Sequence, residues 1–427
     1  MNAFRVIHGP LLGILLGLSV HAQELPPRGA IIVKELPPPP PRPADGKGLM
    51  TNPRIGPTAS AAPQVDWKEE ARWTFESRDK NTDGKLIKDE VPEPLRPLFS
   101  RTDANGDGAI SLEEQVAYLG MGPPVKGTST PFAKRALPSS VEVFRNIAYA
   151  ATNHPRQQLD LYYPKSPKTD KPLPVIVFIH GGGWQKGDKT SSVGKVMALI
   201  ESRQYVTVSI GYRLSDEARW PAQIHDCKAA IRWIKAHAAE YFLDSTKIAV
   251  LGTSAGGHLA SMLGTSGDVK ELEGTLGEHL DKNSRVACVV NYFGPQDFLT
   301  MIQQPSSIDR TKGDRYPEAL LLGGAVPQRE AVAKEASPIT HISAGDAPFF
   351  TAHGTKDPLV PFAQAEQLHS ALTKAGVPSI LQEITHGGHG FLSIDLDQRV
   401  KQFLDTHLLG EKSPINTTPI VFPAPEK

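Results

Sequence analysis

A serine hydroxyl attacks a carbonyl near neutral pH only if a base takes its proton and donors hold the oxyanion that forms. The chain of 427 residues carries candidates for each task. Gly252-Thr253-Ser254-Ala255-Gly256 has the G-x-S-x-G spacing in which a strand turns sharply into a helix and presents the serine Oγ at the apex. Glycine on either side admits a turn too tight for Cβ atoms against the adjoining strand and helix. Alone, the pentapeptide is equally compatible with a Gly-rich turn holding an ordinary serine, so its surroundings decide. His180-Gly181-Gly182-Gly183-Trp184 offers backbone N–H groups unobstructed by side chains. Gly182 and Gly183, joined by the N–H of Ala255, are the candidate oxyanion donors. Among fourteen histidines, His386-Gly387-Gly388-His389-Gly390-Phe391 holds two, and His389 is preferred to His386 as the base. Asp357, in His353-Gly354-Thr355-Lys356-Asp357-Pro358, is the candidate acid. Asp395 and Asp397 follow His389 and would break the order serine, acid, histidine.

Each motif stands beside an element able to position it. Leu173 to Ile179 is a continuous apolar run of the fully buried kind, ending at the glycines. Lys247 to Leu251 reads as a buried strand and Ser254 to Leu263 as the helix after the turn. Pro348 to His353 leads to Asp357, and Ile380 to Ile384 leads to His389. Val143 to Ala150 and Gln158 to Tyr163 form an opening strand pair, while Tyr205 to Tyr212 and Val286 to Phe293 are further strands. Ile224 to Ala238 is helical, with Ile224, Cys227, Ala230, Ile231 and Ile234 on one face, and Pro361 to Ala375 and Leu396 to Leu408 are also helical. Such alternation predicts an α/β domain, a mostly parallel sheet flanked by helices.

HGGGW, GYRLS at 211–215, PAQIHDCKAAIRW at 221–233, GTSAGGHLA, FGP at 293–295, HGTKDPLVP and GGHGF resemble the α/β-hydrolase esterases of the hormone-sensitive-lipase-like and bacterial feruloyl or acetyl-xylan esterase type. The resemblance covers about residues 141–410. It implies an α/β-hydrolase fold and a carboxylic ester hydrolase with Ser254, Asp357 and His389 as triad, needing no cofactor for chemistry. One departure is Thr253, where many relatives carry Asp or His. Residues 264–285 and 296–336 are predicted insertions that cover the site and choose the substrate.

A second chemistry precedes this domain. Asp79-Lys80-Asn81-Thr82-Asp83-Gly84-Lys85-Leu86-Ile87-Lys88-Asp89-Glu90 fits D-x-[DN]-x-[DN]-G-x₅-E, and residues 103–114 fit it again. A hard cation wants six to eight oxygens. Asp79, Asn81, Asp83, the Lys85 carbonyl and Glu90 form one candidate calcium set; Asp103, Asn105, Asp107, the Ala109 carbonyl and Glu114 form the other. Leu86 and Ile110 sit at the matching positions through which such loops pair. The segments resemble the EF-hand family, implying a small helical module over 65–120, although Pro92, Pro94 and Pro97 interrupt the connector. A structural calcium pair of about 10⁻⁴ to 10⁻³ M affinity is expected rather than a sensor.

Composition sets the remaining bounds. Lys plus Arg and Asp plus Glu number 46 each, so no net charge favours nucleic acid or an anionic membrane. Residues 1–22, with Arg5, the apolar run Leu11 to Val20 and the Val20-His21-Ala22 ending, read as a secretory signal peptide, predicting a periplasmic or secreted protein. That run is too short to span a membrane, for which roughly 20 apolar residues are needed. A Pro-rich tether over 23–64, a linker over 121–140 and a polar tail over 411–427 complete the expected organisation. Cys227 and Cys288 read either as a pair or as buried free thiols. The expected partner is a small-molecule or polysaccharide ester. Peptidase or arylformamidase action on the same fold, or an inactive calcium-dependent binding protein, are the alternative readings.

Overall fold

A computed structural model describes residues 75, 81, 83–90, 103, 107–114, 140–192, 199–311, 313–391 and 393–422. The expected signal segment, the tether, most of the 121–140 linker and two of the ten calcium ligands, Asp79 and Asn105, lie outside the described residues.

Before the main domain, β1 (Lys85–Ile87) and β2 (Ala109–Ser111) form an antiparallel ribbon in which Leu86 faces Ile110. Both are buried with Phe75, so the pairing expected of the two loops is present. Phe75 and residues 112–114 are helical, and the remaining positions of the expected helices lie outside the described residues.

The main domain opens with β3 (Val141–Ala148), β4 (Gln158–Pro164), β5 (Leu173–Ile179) and β6 (Val206–Ile210). Then come α1 (Ala222–Ala236), β7 (Leu243–Thr253), α2 (Ala255–Thr265) and β8 (Cys288–Tyr292). Short helices α3 (Phe298–Met301), α4 (Pro317–Leu322) and α5 (Glu330–Glu335) precede β9 (Phe349–Gly354). The chain continues through α6 (Ala363–Lys374), β10 (Ser379–Thr385), α7 (Ile394–Leu404) and β11 (Ile420–Val421).

Nine strands form one sheet in the order β11-β10-β9-β8-β7-β5-β6-β4-β3. The β3–β4 and β4–β6 pairs are antiparallel and the others parallel. Every residue of β5 is buried. Val175, Val177 and Ile179 join one core with α1 and α2, whereas Ile176 and Phe178 join the opposite core with α7. This two-sided burial explains the unbroken apolar runs, because neither face of a central parallel strand meets water.

Two expectations need correction. Residues 411–422 are not simply a tail: β11 pairs in parallel with β10, and Arg399 and Gln382 both donate to the Thr418 carbonyl. Hydrogen bonding to an unpaired sheet edge outweighs the segment's polar, Pro-containing composition. Residues 264–285 do not cover Ser254; Glu273 instead accepts from Lys228 and Arg232 of α1, so buried cations draw the segment there. Of the two readings open for the cysteines, the structure shows buried free thiols, Cys227 on α1 and Cys288 on β8. Among the described residues, no helix is long and apolar enough to cross a membrane.

Candidate active site

Successive parallel strands deliver the predicted groups to one edge of the sheet, their C-terminal ends, where ligands of open α/β sheets gather. Ser254 follows β7, the glycine loop follows the adjacent β5, Asp357 follows β9 and His389 follows β10.

The turn at Ser254 is compressed. Its φ is 53° and ψ −120°, outside the favoured regions for a side chain with Cβ. The turn persists because Ser254 N–H donates to the Tyr292 carbonyl at 2.9 Å and because a Cβ at Gly252 or Gly256 would collide with backbone carbonyls. The serine is thereby lifted out of the strand, with α2 beginning at the next residue.

His389 Nε2 lies 2.9 Å from Ser254 Oγ, and His389 Nδ1 lies 2.8 Å from Asp357 Oδ2. Since the carboxylate accepts from Nδ1–H, Nε2 presents its lone pair to the serine hydroxyl. Asp357 Oδ1 accepts the Leu359 and Val360 N–H groups at 2.9 and 3.0 Å. Burial alone would raise the Asp357 carboxyl, yet the charge of His389 and hydrogen bonds from His353 and His389 hold it well below the usual carboxylate range. It therefore remains an anion. Phe293, after β8, sets its ring 4.7 Å from His389 in an edge arrangement.

The glycine loop is fixed from beneath. His180 stacks on Tyr212 and donates from Nδ1 to the Gly181 carbonyl at 2.8 Å, while burial pushes its imidazole down to about 4. Gly182 has φ 110°, and a Cβ there would strike the Lys186 carbonyl. Among the described residues, the N–H groups of Gly182, Gly183 and Ala255 have no protein acceptor. Trp184, completing the motif, is buried against His258 and Phe298.

The structure thus brings Ser254, His389 and Asp357 into one hydrogen-bonded chain. His386 stands apart, donating from Nδ1 to the Phe422 carbonyl at 3.0 Å, and Asp395 pairs with Arg399. Of the two predicted covers, only 296–336 reaches the site: a Cβ on Gly183 would meet Pro317, which opens α4, at 3.4 Å. Buried Arg310 pairs with Glu318 and donates to the Leu359 carbonyl, tying this segment to the Asp357 loop.

Sequence reasoning missed Phe293 and His353 as site neighbours. An ionisable residue next to the last of the strand Phe349–Gly354, four residues before Asp357, is a signal that pointed to the second.

In the ribbon, Glu90 accepts from Ile87 N–H, Glu114 from Ser111 N–H, and Asp103 from Gly108 N–H. Lys85 and Ala109 lie in β1 and β2, and Asn81, Asp83 and Asp107 hold the turns through their side chains. Among the described residues, no group of three or more His, Cys, Asp or Glu is clustered for a metal ion.

A serine at a strand–helix elbow, on a largely parallel sheet with helices on both faces, defines an α/β-hydrolase of the esterase type. The chain belongs to the BD-FAE family, whose model matches residues 159–372, half its length. It is 30% identical over 252 residues to Esterase LipC of Mycobacterium tuberculosis, covering 59% of this chain and 60% of that one. Esterase LipQ of the same organism is 30% identical over 234 residues, with 55% and 54% covered. The chain therefore spans somewhat over half the length of these curated relatives. A solved truncated carbohydrate esterase from gut microbiota is 30% identical with TM-score 0.58, covering 63% of this chain and 96% of that one. A bifunctional GH43-CE protein of Bacteroides eggerthii is 34% identical with TM-score 0.57, covering 62% and 35%.

Proposed function

We propose that this protein is a serine carboxylic ester hydrolase acting on short acyl or carbohydrate-linked esters, such as acetyl or feruloyl esters. The observation that carries the reading is the unbroken path from Ser254 Oγ through His389 to the Asp357 carboxylate, at 2.9 and 2.8 Å. Ser254 Oγ attacks the ester carbonyl as its proton passes to His389 Nε2. Asp357 stabilises the resulting imidazolium, and the N–H groups of Gly182, Gly183 and Ala255 hold the tetrahedral oxyanion. Collapse expels the alcohol, which takes the proton from His389. Water then attacks the acyl-serine with the same base and donors.

The carbohydrate part of the reading draws on the named activities of the two similar solved structures. Export fits the apolar run Leu11 to Val20, and it would put the enzyme where plant or microbial polysaccharides lie.

The two loops before the domain offer oxygen donors only, which suits calcium. Asp79, Asn81, Asp83, Lys85 and Glu90 would hold one ion, and Asp103, Asn105, Asp107, Ala109 and Glu114 the other. Their role is to order the ribbon, and no chemical step runs through them.

Ser254→Ala tests the enzymatic reading: turnover of p-nitrophenyl acetate should vanish while the melting temperature stays near wild type. Retained turnover at the wild-type rate would overturn it.

A further inference from the structure

His353, on β9, has no solvent exposure and stands four residues before Asp357. Its Nε2 lies 2.9 Å from the Val360 carbonyl oxygen and 3.1 Å from Asp357 Oδ2. A carbonyl oxygen only accepts, so Nε2 carries the proton and donates it to Val360, with the Asp357 carboxylate oxygen lying beside that N–H. Nδ1 is buried with no hydrogen-bond partner among the described residues. The rings of Phe293 and Phe362 lie nearby, with centroids 6.5 and 5.8 Å from the imidazole. A proton on Nδ1 would be a buried donor without an acceptor, an unfavourable arrangement. The Nε2–H dipole thus lies beside the same carboxylate oxygen that accepts His389 Nδ1–H.

Resting on the triad reading above, we propose that His353 is a positioning residue that holds Asp357 Oδ2 towards His389 and, by drawing on that oxygen's charge, sets the basicity of His389. The two N–H groups on Oδ1 fix one end of the carboxylate, and His353 fixes the other. The titratable neighbours of the carboxylate are His389, from the loop after β10, and His353 itself, from β9. The loop after β8 and the approach to α6 bring the rings of Phe293 and Phe362, while Arg310, paired with Glu318, reaches the Leu359 carbonyl of the same loop. Removing the His353 donor leaves Oδ2 to His389 alone. The imidazolium is then held more strongly, and the base titrates at higher pH.

The test compares the full chain with His353→Gln, which keeps an N–H, and with His353→Leu, which has none. The readouts are kcat and KM for p-nitrophenyl acetate across pH, together with the melting temperature. His353→Leu should lower kcat by about tenfold or more with KM little changed. Its acid limb should move upward by about half a pH unit or more, reflecting the stronger pull on the imidazolium. His353→Gln should restore most of kcat and the wild-type limb. If His353→Leu does not fold, His353→Phe keeps the ring volume and carries the same comparison. An acid limb unmoved in the donor-free variant, or a Gln variant no better than Leu, makes His353 a packing residue and overturns the proposal. That failure is distinct from failure of the triad reading, which would show as an active Ser254→Ala.

Discussion

Tyr212 lies under His180 with ring centroids 4.2 Å apart and planes within 11°, and its hydroxyl donates to the His180 carbonyl at 3.0 Å. The residue that opens the glycine loop is thus clamped by both its ring and its backbone. Tyr212→Phe retains the stack but leaves a buried carbonyl without its donor, at a cost of about 1–3 kcal/mol. The melting temperature should fall, and kcat should drop more than KM rises, because Gly182 and Gly183 meet charge that develops in the transition state. Steady-state kinetics with a short-chain aryl ester, beside a melting curve, checks both effects.

Asp357→Asn preserves shape and removes the anion. The carboxamide that replaces the carboxylate can turn an N–H toward His389, reversing the polarity of that contact and favouring the tautomer that cannot accept the Ser254 proton. A loss in kcat on the order of 10⁴-fold is expected with the fold retained, as for other triads treated this way. Circular dichroism together with burst kinetics separates the two, and a loss below tenfold would mean that Asp357 is not the acid.

Acid should destabilise the protein through two buried imidazoles. Burial pushes both His180 and His258 down to about 4. In the unfolded chain they titrate near 6.5. Between those values the unfolded state binds more protons than the native state, so stability falls as pH drops through that window and levels off below it. Each histidine can remove up to roughly 3 kcal/mol. Melting temperatures recorded from pH 7 to 4 should decline across the window. His258→Gln, which keeps an N–H for the Ala336 carbonyl that His258 Nε2 meets at 2.6 Å, should flatten part of that decline.

Calcium, if it orders the β1–β2 ribbon, contributes to stability by binding the folded loops. Chelation with EDTA should lower the melting temperature and leave initial ester turnover at low temperature unchanged. Calcium added back should restore the melting point, whereas no response in either measurement removes calcium from the proposal.

The serine, the glycine loop, the acid and the base were legible because each depends on a local pattern, a buried strand ending in a short polar or glycine-rich turn. The alternation of strands and helices carried the fold for the same reason. Phe293 and His353 were not legible as a pair around His389, since β8, β9 and β10 bring them together over long sequence separations. The position of 264–285 depended on where buried Lys228 and Arg232 needed a carboxylate, and Glu273 answered that need. Composition also misjudged residues 411–422, because a polar segment with few apolar side chains can still be ordered by backbone pairing along a sheet edge.

That ninth strand reaches further than the sheet. Phe422 N–H donates to the Thr385 carbonyl, and the Phe422 carbonyl accepts from His386, three residues before His389. The far end of the chain therefore serves as a brace behind the loop that carries the base. Trimming the protein after Gly410 would leave every proposed reacting residue in place, yet it would release the brace and let His389 drift from Ser254.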